Sequence, residues 1–169
     1  MSTSIYGYVE IKKFDSGLDD WFSVIDVGIA MTGNYDIFGC LCGVRNYANF
    51  EPLFPSRGLP SDCSDEIVSE VEQGDYHSAT WCTFRELQEI DLKELSVEPD
   101  QRFLGEEKTK KGIITVKRFP SSEEEYKKRK YLSRGDALND QEYLQPMELM
   151  KVLAKRYGAE GVRMVVYFD

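Results

Sequence analysis

The chain closes on VRMVVYF, residues 162–168, where every side chain but one arginine is apolar or aromatic. Successive side chains of a strand point to opposite faces, so a strand that is apolar at nearly every position needs cover on both. This run therefore predicts a central strand in a sheet with helices packed on it. The rest of the sequence has to supply flanking strands and helical cover.

Residues 4–14, SIYGYVEIKKF, are rich in strand formers and run into Asp15-Ser16-Gly17, a turn composition, so they read as an opening strand. Residues 21–27 are a second short strand candidate, with a helical turn as the alternative, and residues 77–82 and 112–119 read as two more strands. Asn34 is placed to cap a helix through about Val44, with Tyr35, Phe38, Leu41 and Cys42 on one face. Residues 62–73 form an acidic helix with Ile67, Val68 and Val71 as its stripe. Thr83-Phe-Arg-Glu86 is a capping box opening a helix to about Asp91. Ser121 and Ser122 precede Glu123, Glu124 and Glu125 and then the basic run 127–130, a charge order that suits a helix dipole. Pro146 and Gly158 frame a last helix over 147–157, with Leu149, Met150, Leu153 and Ala154 turned inward. The expected architecture is α+β, a single domain over residues 1–169 with a mixed or mainly antiparallel sheet. Residues 99–112, charged and poor in large apolar side chains, read as a flexible connection.

With 41% hydrophobic and 12% aromatic residues the chain has the material for a core and lacks the signature of disorder. No apolar run approaches the roughly 20 residues needed to cross a bilayer, and the start, Met1-Ser-Thr-Ser4, has no leader character. The expectation is a cytoplasmic protein whose four cysteines, at 40, 42, 63 and 82, stay free as small core residues. Residues 1–100 carry six basic and nineteen acidic side chains, residues 101–169 fifteen and eleven, so a −13 half is joined to a +4 half for a net −9. That balance argues against non-specific nucleic-acid binding. It also offers an acidic surface to a basic protein.

No motif names a reaction. His77 is the only histidine, and nothing in its spacing pairs it with Cys40, Cys63, Cys82 or Asp75 as a nucleophilic couple. Cys40 and Cys42 would face different sides of a helix, and no paired Cys-x-x-Cys knuckle marks a metal site, so no metal and no cofactor is expected. The glycines of Gly39-Cys-Leu-Cys-Gly43 lack the Lys-Ser/Thr of a phosphate loop and read as packing positions. The candidate site lies in the loop from 46 to 61 and the strand after it. Arg45 and Arg57 are the only cations between Lys13 and Arg85, and both precede loop-forming residues. As charged forks they would hold phosphate, with Tyr47, Phe50, Phe54 and Trp81 as stacking faces and Asn46, His77, Ser78 and Thr80 as polar edges. Against this stands the plainer reading that both arginines pair with local acids such as Asp36 and Glu51 while the aromatics fill the core. The basic run 127–130, with Lys108, Lys110, Lys111, Lys117 and Arg118, is the one place that could touch nucleic acid; interleaved glutamates favour a solvated amphipathic helix instead.

Several blocks carry a resemblance: Tyr6-Gly-Tyr8, Asn34-Tyr-Asp-Ile-Phe-Gly39 with Gly43-Val-Arg-Asn46, Arg57-Gly-Leu-Pro60, Gly74-Asp-Tyr-His-Ser78 with Trp81, and the closing Val162 to Asp169. Together they resemble a family of small bacteriophage and prophage proteins, over nearly the whole length. The one departure is the ending, Tyr167-Phe-Asp169 where that pattern has Trp-Phe-Asp. The resemblance brings no activity, but a phage setting implies a small protein that counters host defence. The leading expectation is a non-catalytic host-cytoplasm protein, with a homo-oligomer among its partner states, that sequesters a nucleotide or cyclic-nucleotide signal at Arg45, Asn46, Tyr47, Arg57, His77, Ser78, Thr80 and Trp81. The alternative is an acidic adaptor that binds a basic host defence or nucleic-acid-binding protein. A cysteine- or metal-dependent enzyme is a third class.

Overall fold

The structure, a computed structural model, describes residues 2–13 and 20–169. Four strands, β1 (Ile5–Lys13), β2 (Asp20–Asp26), β3 (His77–Thr83) and β6 (Val162–Phe168), form one antiparallel sheet in the order β2-β1-β6-β3. The closing strand is central, paired with β1 from Ile5↔Phe168 to Ile11↔Val162 and with β3 through Trp81↔Val165, and all seven of its residues are buried. Its alternation separates two cores. Val162, Met164, Val166 and Phe168 join the larger one, whereas Val165 and Tyr167 pack on the opposite face with Ile67.

The larger core is closed by α1 (Tyr35–Cys42), α3 (Phe84–Gln88), α5 (Arg134–Leu138) and α6 (Gln141–Tyr157); α2 (Asp65–Gln73) contributes Ile67 to the smaller one. The caps legible in the sequence form. Asn34 accepts from the amides of Asp36 and Ile37, and the Thr83–Glu86 box is reciprocal. The strand takes residues 20–26, so the strand alternative for that stretch is the one that forms, and a 3-10 turn, Val27–Ile29, follows it. The sequence reading of the first strand also included Phe14 and the turn at 15–17, which lie outside the described residues.

Three features differ from the sequence reading. Residues 103–109, within the expected flexible connection, form β4 (Phe103–Thr109), which pairs with β5 (Gly112–Arg118) as a separate hairpin. Most of the hairpin is solvent-facing, so its strands lack the apolar alternation by which a half-buried strand is recognised. Helix α6 starts before the expected position, at Gln141, and Pro146 lies inside it. A proline there removes one helical hydrogen bond. The first turns are secured by the Asp140 cap and by Glu142, whose carboxylate accepts from the amides of Thr32, Gly33 and Asn34. The buried stripe of α6 is Tyr143, Pro146 and Met150, with Leu153 and Ala154 partly covered; Leu149 falls off that stripe and is 45% exposed. Val68 likewise sits on the outer side of α2, so Ile67 and half-buried Val71 alone carry its inward face.

Beneath α2 lies a buried ion pair. Arg163 Nε donates to Glu10 at 2.7 Å, Nη1 reaches Asp62 at 2.8 Å, and the guanidinium lies 3.7 Å over the Trp21 ring. The other oxygen of Glu10 accepts the Ser64 amide at the start of α2. One polar residue in the otherwise apolar strand thus holds the helix on the sheet.

Candidate functional site

The candidate residues separate into distinct surroundings. Helix α1 ends at Gly43 in the left-handed conformation, and Arg45 follows at φ 51°. Arg45 Nε donates to Thr3 Oγ1 at 2.9 Å. His77 bonds Ser78 Oγ at 2.8 Å and the Asp169 carbonyl at 3.1 Å, and Ser78 is also left-handed, at φ 54°. Arg45, His77 and Ser78 line a common hollow of about 420 Å³, together with Thr3 and Asp169. Left-handed backbone costs a non-glycine residue on the order of 1–2 kcal/mol, so this corner is held in shape by its surroundings.

Arg57, Thr80 and Trp81 lie outside that hollow and make contacts within the fold. Thr80 is buried and donates to the Phe54 carbonyl at 2.6 Å. Arg57 grips both oxygens of Glu86, at 2.9 and 3.1 Å, donates to the Trp81 carbonyl and lies over the Phe54 and Trp81 rings. It rivets the loop to the corner between β3 and α3. Burial raises the Glu86 carboxyl, but the Arg57 hydrogen bonds and the Thr83 amide outweigh it and hold it below its ordinary value. Asn46 is likewise engaged, donating to the Phe50 carbonyl and accepting the Phe50 amide. Tyr47 packs edge-on against Phe119 at 5.3 Å. Phe50 and Phe54 are core residues. The plainer reading of the arginines holds for Arg57 in kind, with Glu86 as the acid; Asp36 is taken by Arg102 and Lys117.

A cluster of cationic side chains lies in the +4 half. Helix α4 (Glu123–Lys127) stops at the first lysine of the basic run, so residues 128–130 are not the amphipathic helix expected from sequence. They pass into an extended segment tied to the body by the Asp100 amide on the Lys130 carbonyl and the Ser96 amide on the Leu132 carbonyl. Between this segment and the β4–β5 hairpin is a cleft of about 580 Å³. Arg102, Lys117, Lys128, Arg129 and Lys130 line it against Asp100 and Asp136, an excess of three positive charges in a chain of net −9. Its apolar wall is Phe103, Leu104, Tyr131 and Leu132.

The five cations are not equivalent. Arg102 and Lys117 converge on Asp36 in the first turn of α1, and Arg102 also binds Asp100 at 2.9 Å, which clasps the hairpin to the body. Burial raises the Asp36 carboxyl, but the hydrogen bonds from Lys117 and Arg102 prevail and keep it below its usual value. Among the described residues Lys128 pairs only with Glu124, in an exposed 3.7 Å contact. Lys130 makes no ion pair among the described residues. Arg129 stacks its guanidinium 3.7 Å over Tyr126, and its shielded Nε has no hydrogen-bond partner. The sequence marked the lysines, but nothing local announced that Arg102 and Tyr131 would join them.

Nucleophilic chemistry has little support in this geometry. Cys40, Cys42 and Cys82 are buried and burial pushes their thiols up, Cys42 to about 12. Half-buried Cys63 is raised as well, again mainly by burial. Among the described residues no group of three or more metal-ligating side chains converges. No helix is long and apolar enough to cross a membrane. The cleft combines unneutralised cations with aromatic and aliphatic walls, which suits recognition of an anion carrying a flat or apolar portion. No family model, curated protein or solved structure matches the chain.

Proposed function

We propose that this chain is a phage-encoded binding protein that captures a small anionic ligand, a nucleotide, without consuming it, and that it does so in the cleft between the hairpin and residues 128–132. The observation that carries this reading is the cluster of Arg129 and Lys130, cations without carboxylate partners among the described residues, at the mouth of an apolar-walled cavity in an acidic protein. Arg129 Nε is a shielded donor without a partner among the described residues, and a bound anion would offset the cost of its desolvation. The phage setting rests on the sequence resemblance, and a role in countering host defence is the use such a setting suggests.

The test is a thermal-shift panel of nucleotides, followed by denaturation of any stabilised sample and mass spectrometry of the released ligand. Stabilisation with the ligand recovered intact is the expected result. Arg129→Ala should weaken binding at least about tenfold, as expected for loss of a charge-assisted contact, with little change in the melting point of the free protein. Recovery of an altered ligand would refute capture without turnover, and a flat panel would refute the nucleotide. The second reading, an acidic adaptor, is favoured by the exposed Asp65, Glu66 and Glu72 on α2. A flat panel together with a salt-sensitive complex with a basic protein would establish it.

A further inference from the structure

Arg129 lines two cavities. On one side is the cationic cleft of about 580 Å³; on the other is a more open hollow of about 630 Å³, lined by Phe119, Ser122, Glu123 and Tyr126. Each volume lies in the range that small-molecule sites occupy, about 300–1,000 Å³. The Arg129–Tyr126 stack stands where the two meet, because Arg129 belongs to both walls and Tyr126 to the second.

The two chambers differ in charge and match in aromatic content. The first holds Lys128 and Lys130 beside Tyr131 and Phe103. In the second, Arg129 is the only cation, opposed by Glu123, and its stacking surfaces are Phe119 and Tyr126, each 57% exposed. The Phe119 ring is not loosely placed: Tyr47 meets it edge-on at 88°, and the Asn46 clamp on Phe50 fixes the loop that carries Tyr47. A mononucleotide would occupy one chamber and leave the other aromatic surface in water.

We infer that the site takes a dinucleotide, with its bridging phosphodiester at Arg129, one nucleoside on Tyr131 and Phe103 with any terminal phosphate at Lys128 and Lys130, and the second base on Phe119 in the outer hollow. This rests on the capture reading above and names the ligand class of that same site. Phosphate-rich and phosphate-poor ends are told apart by the unequal charge of the chambers. By base–aromatic stacking, a second stacked base should tighten binding by about five- to 150-fold.

The experiment is isothermal titration of the full chain with adenosine monophosphate, the linear 5′-phosphorylated dinucleotide pApA and cyclic di-adenylate, at one salt concentration. Both dinucleotides should bind at least about fivefold more tightly than the mononucleotide, and pApA most tightly if the terminal phosphate meets Lys128 and Lys130. Phe119→Ala should remove most of that advantage and Phe119→Trp should retain it; the two variants together separate stacking from a folding defect. Mononucleotide and dinucleotide affinities within threefold of each other would overturn the two-chamber site and leave the capture reading standing. Binding of none of the three would overturn both.

Discussion

Replacing Arg163 with methionine tests the most buried electrostatic feature of the fold. The arginine side chain is 4% exposed and its partner Glu10 0%. The substitution keeps an apolar stem against Trp21 but leaves one Glu10 oxygen without its 2.7 Å partner, while the other still accepts the Ser64 amide. Removing one member of such a pair typically costs about 3–5 kcal/mol, because the stranded charge cannot reach water. Asp62, whose side chain is 54% exposed, is rehydrated and adds little. For a chain of this size about 1 kcal/mol moves the melting point by ~2–4 °C, so Arg163→Met should melt roughly 6–20 °C lower. Urea unfolding followed by far-ultraviolet dichroism should show the loss as a lower midpoint at unchanged slope. The double variant Glu10→Gln with Arg163→Met keeps an acceptor for Ser64 and removes the stranded charge, so it should recover at least half of the lost stability. A single-variant loss below about 1 kcal/mol, or a double variant worse than the single, would refute the argument that desolvation of Glu10 dominates.

Arg57→Ala should cost about 1 kcal/mol or less, since both partners of its ion pair are about one-third exposed, and should leave ligand affinity unchanged; loss of binding at unchanged stability would return Arg57 to the site. Asp36→Asn tests the hairpin clasp through pH. The folded carboxyl is held below its ordinary value, so its contribution is fully present above about pH 4 and is lost as the pH falls through the depressed value. Urea midpoints of the parent and variant should therefore differ at pH 7 and converge in acid; a pH-independent difference would refute the ion pair as the cause. Thiol titration with a disulfide reagent should find Cys63 reacting first in the native protein and Cys40, Cys42 and Cys82 only on unfolding. Fast labelling of Cys82 would mean that the core over β3 opens.

The elements legible in sequence are those whose cause is local. Asn34, Thr83 and Ser122 cap their helices because the acceptor and the amides it satisfies lie within three residues of one another. The β4 strand and the start of α6 were not legible, because one has little buried face and the other overrides an internal proline with contacts to the loop at 32–34. The same boundary runs through the site. The sequence marked Arg45 and Arg57 by their isolation in an acidic stretch, but whether an arginine serves a ligand or a carboxylate depends on what lies opposite it, and Glu86 is 29 residues from Arg57. Likewise Lys117 and Arg102 meet Asp36 across 81 and 66 residues, leaving Arg129 and Lys130 as the cations of the cleft without an acid among the described residues.

The sequence by itself determined the α+β class, the central closing strand and the principal caps, since alternation and capping act through neighbours along the chain. Only the tertiary structure decided which cations are neutralised and which have no acid opposite them among the described residues. Coulombic pairing acts through space, and the distances that set it exist only once the chain has folded.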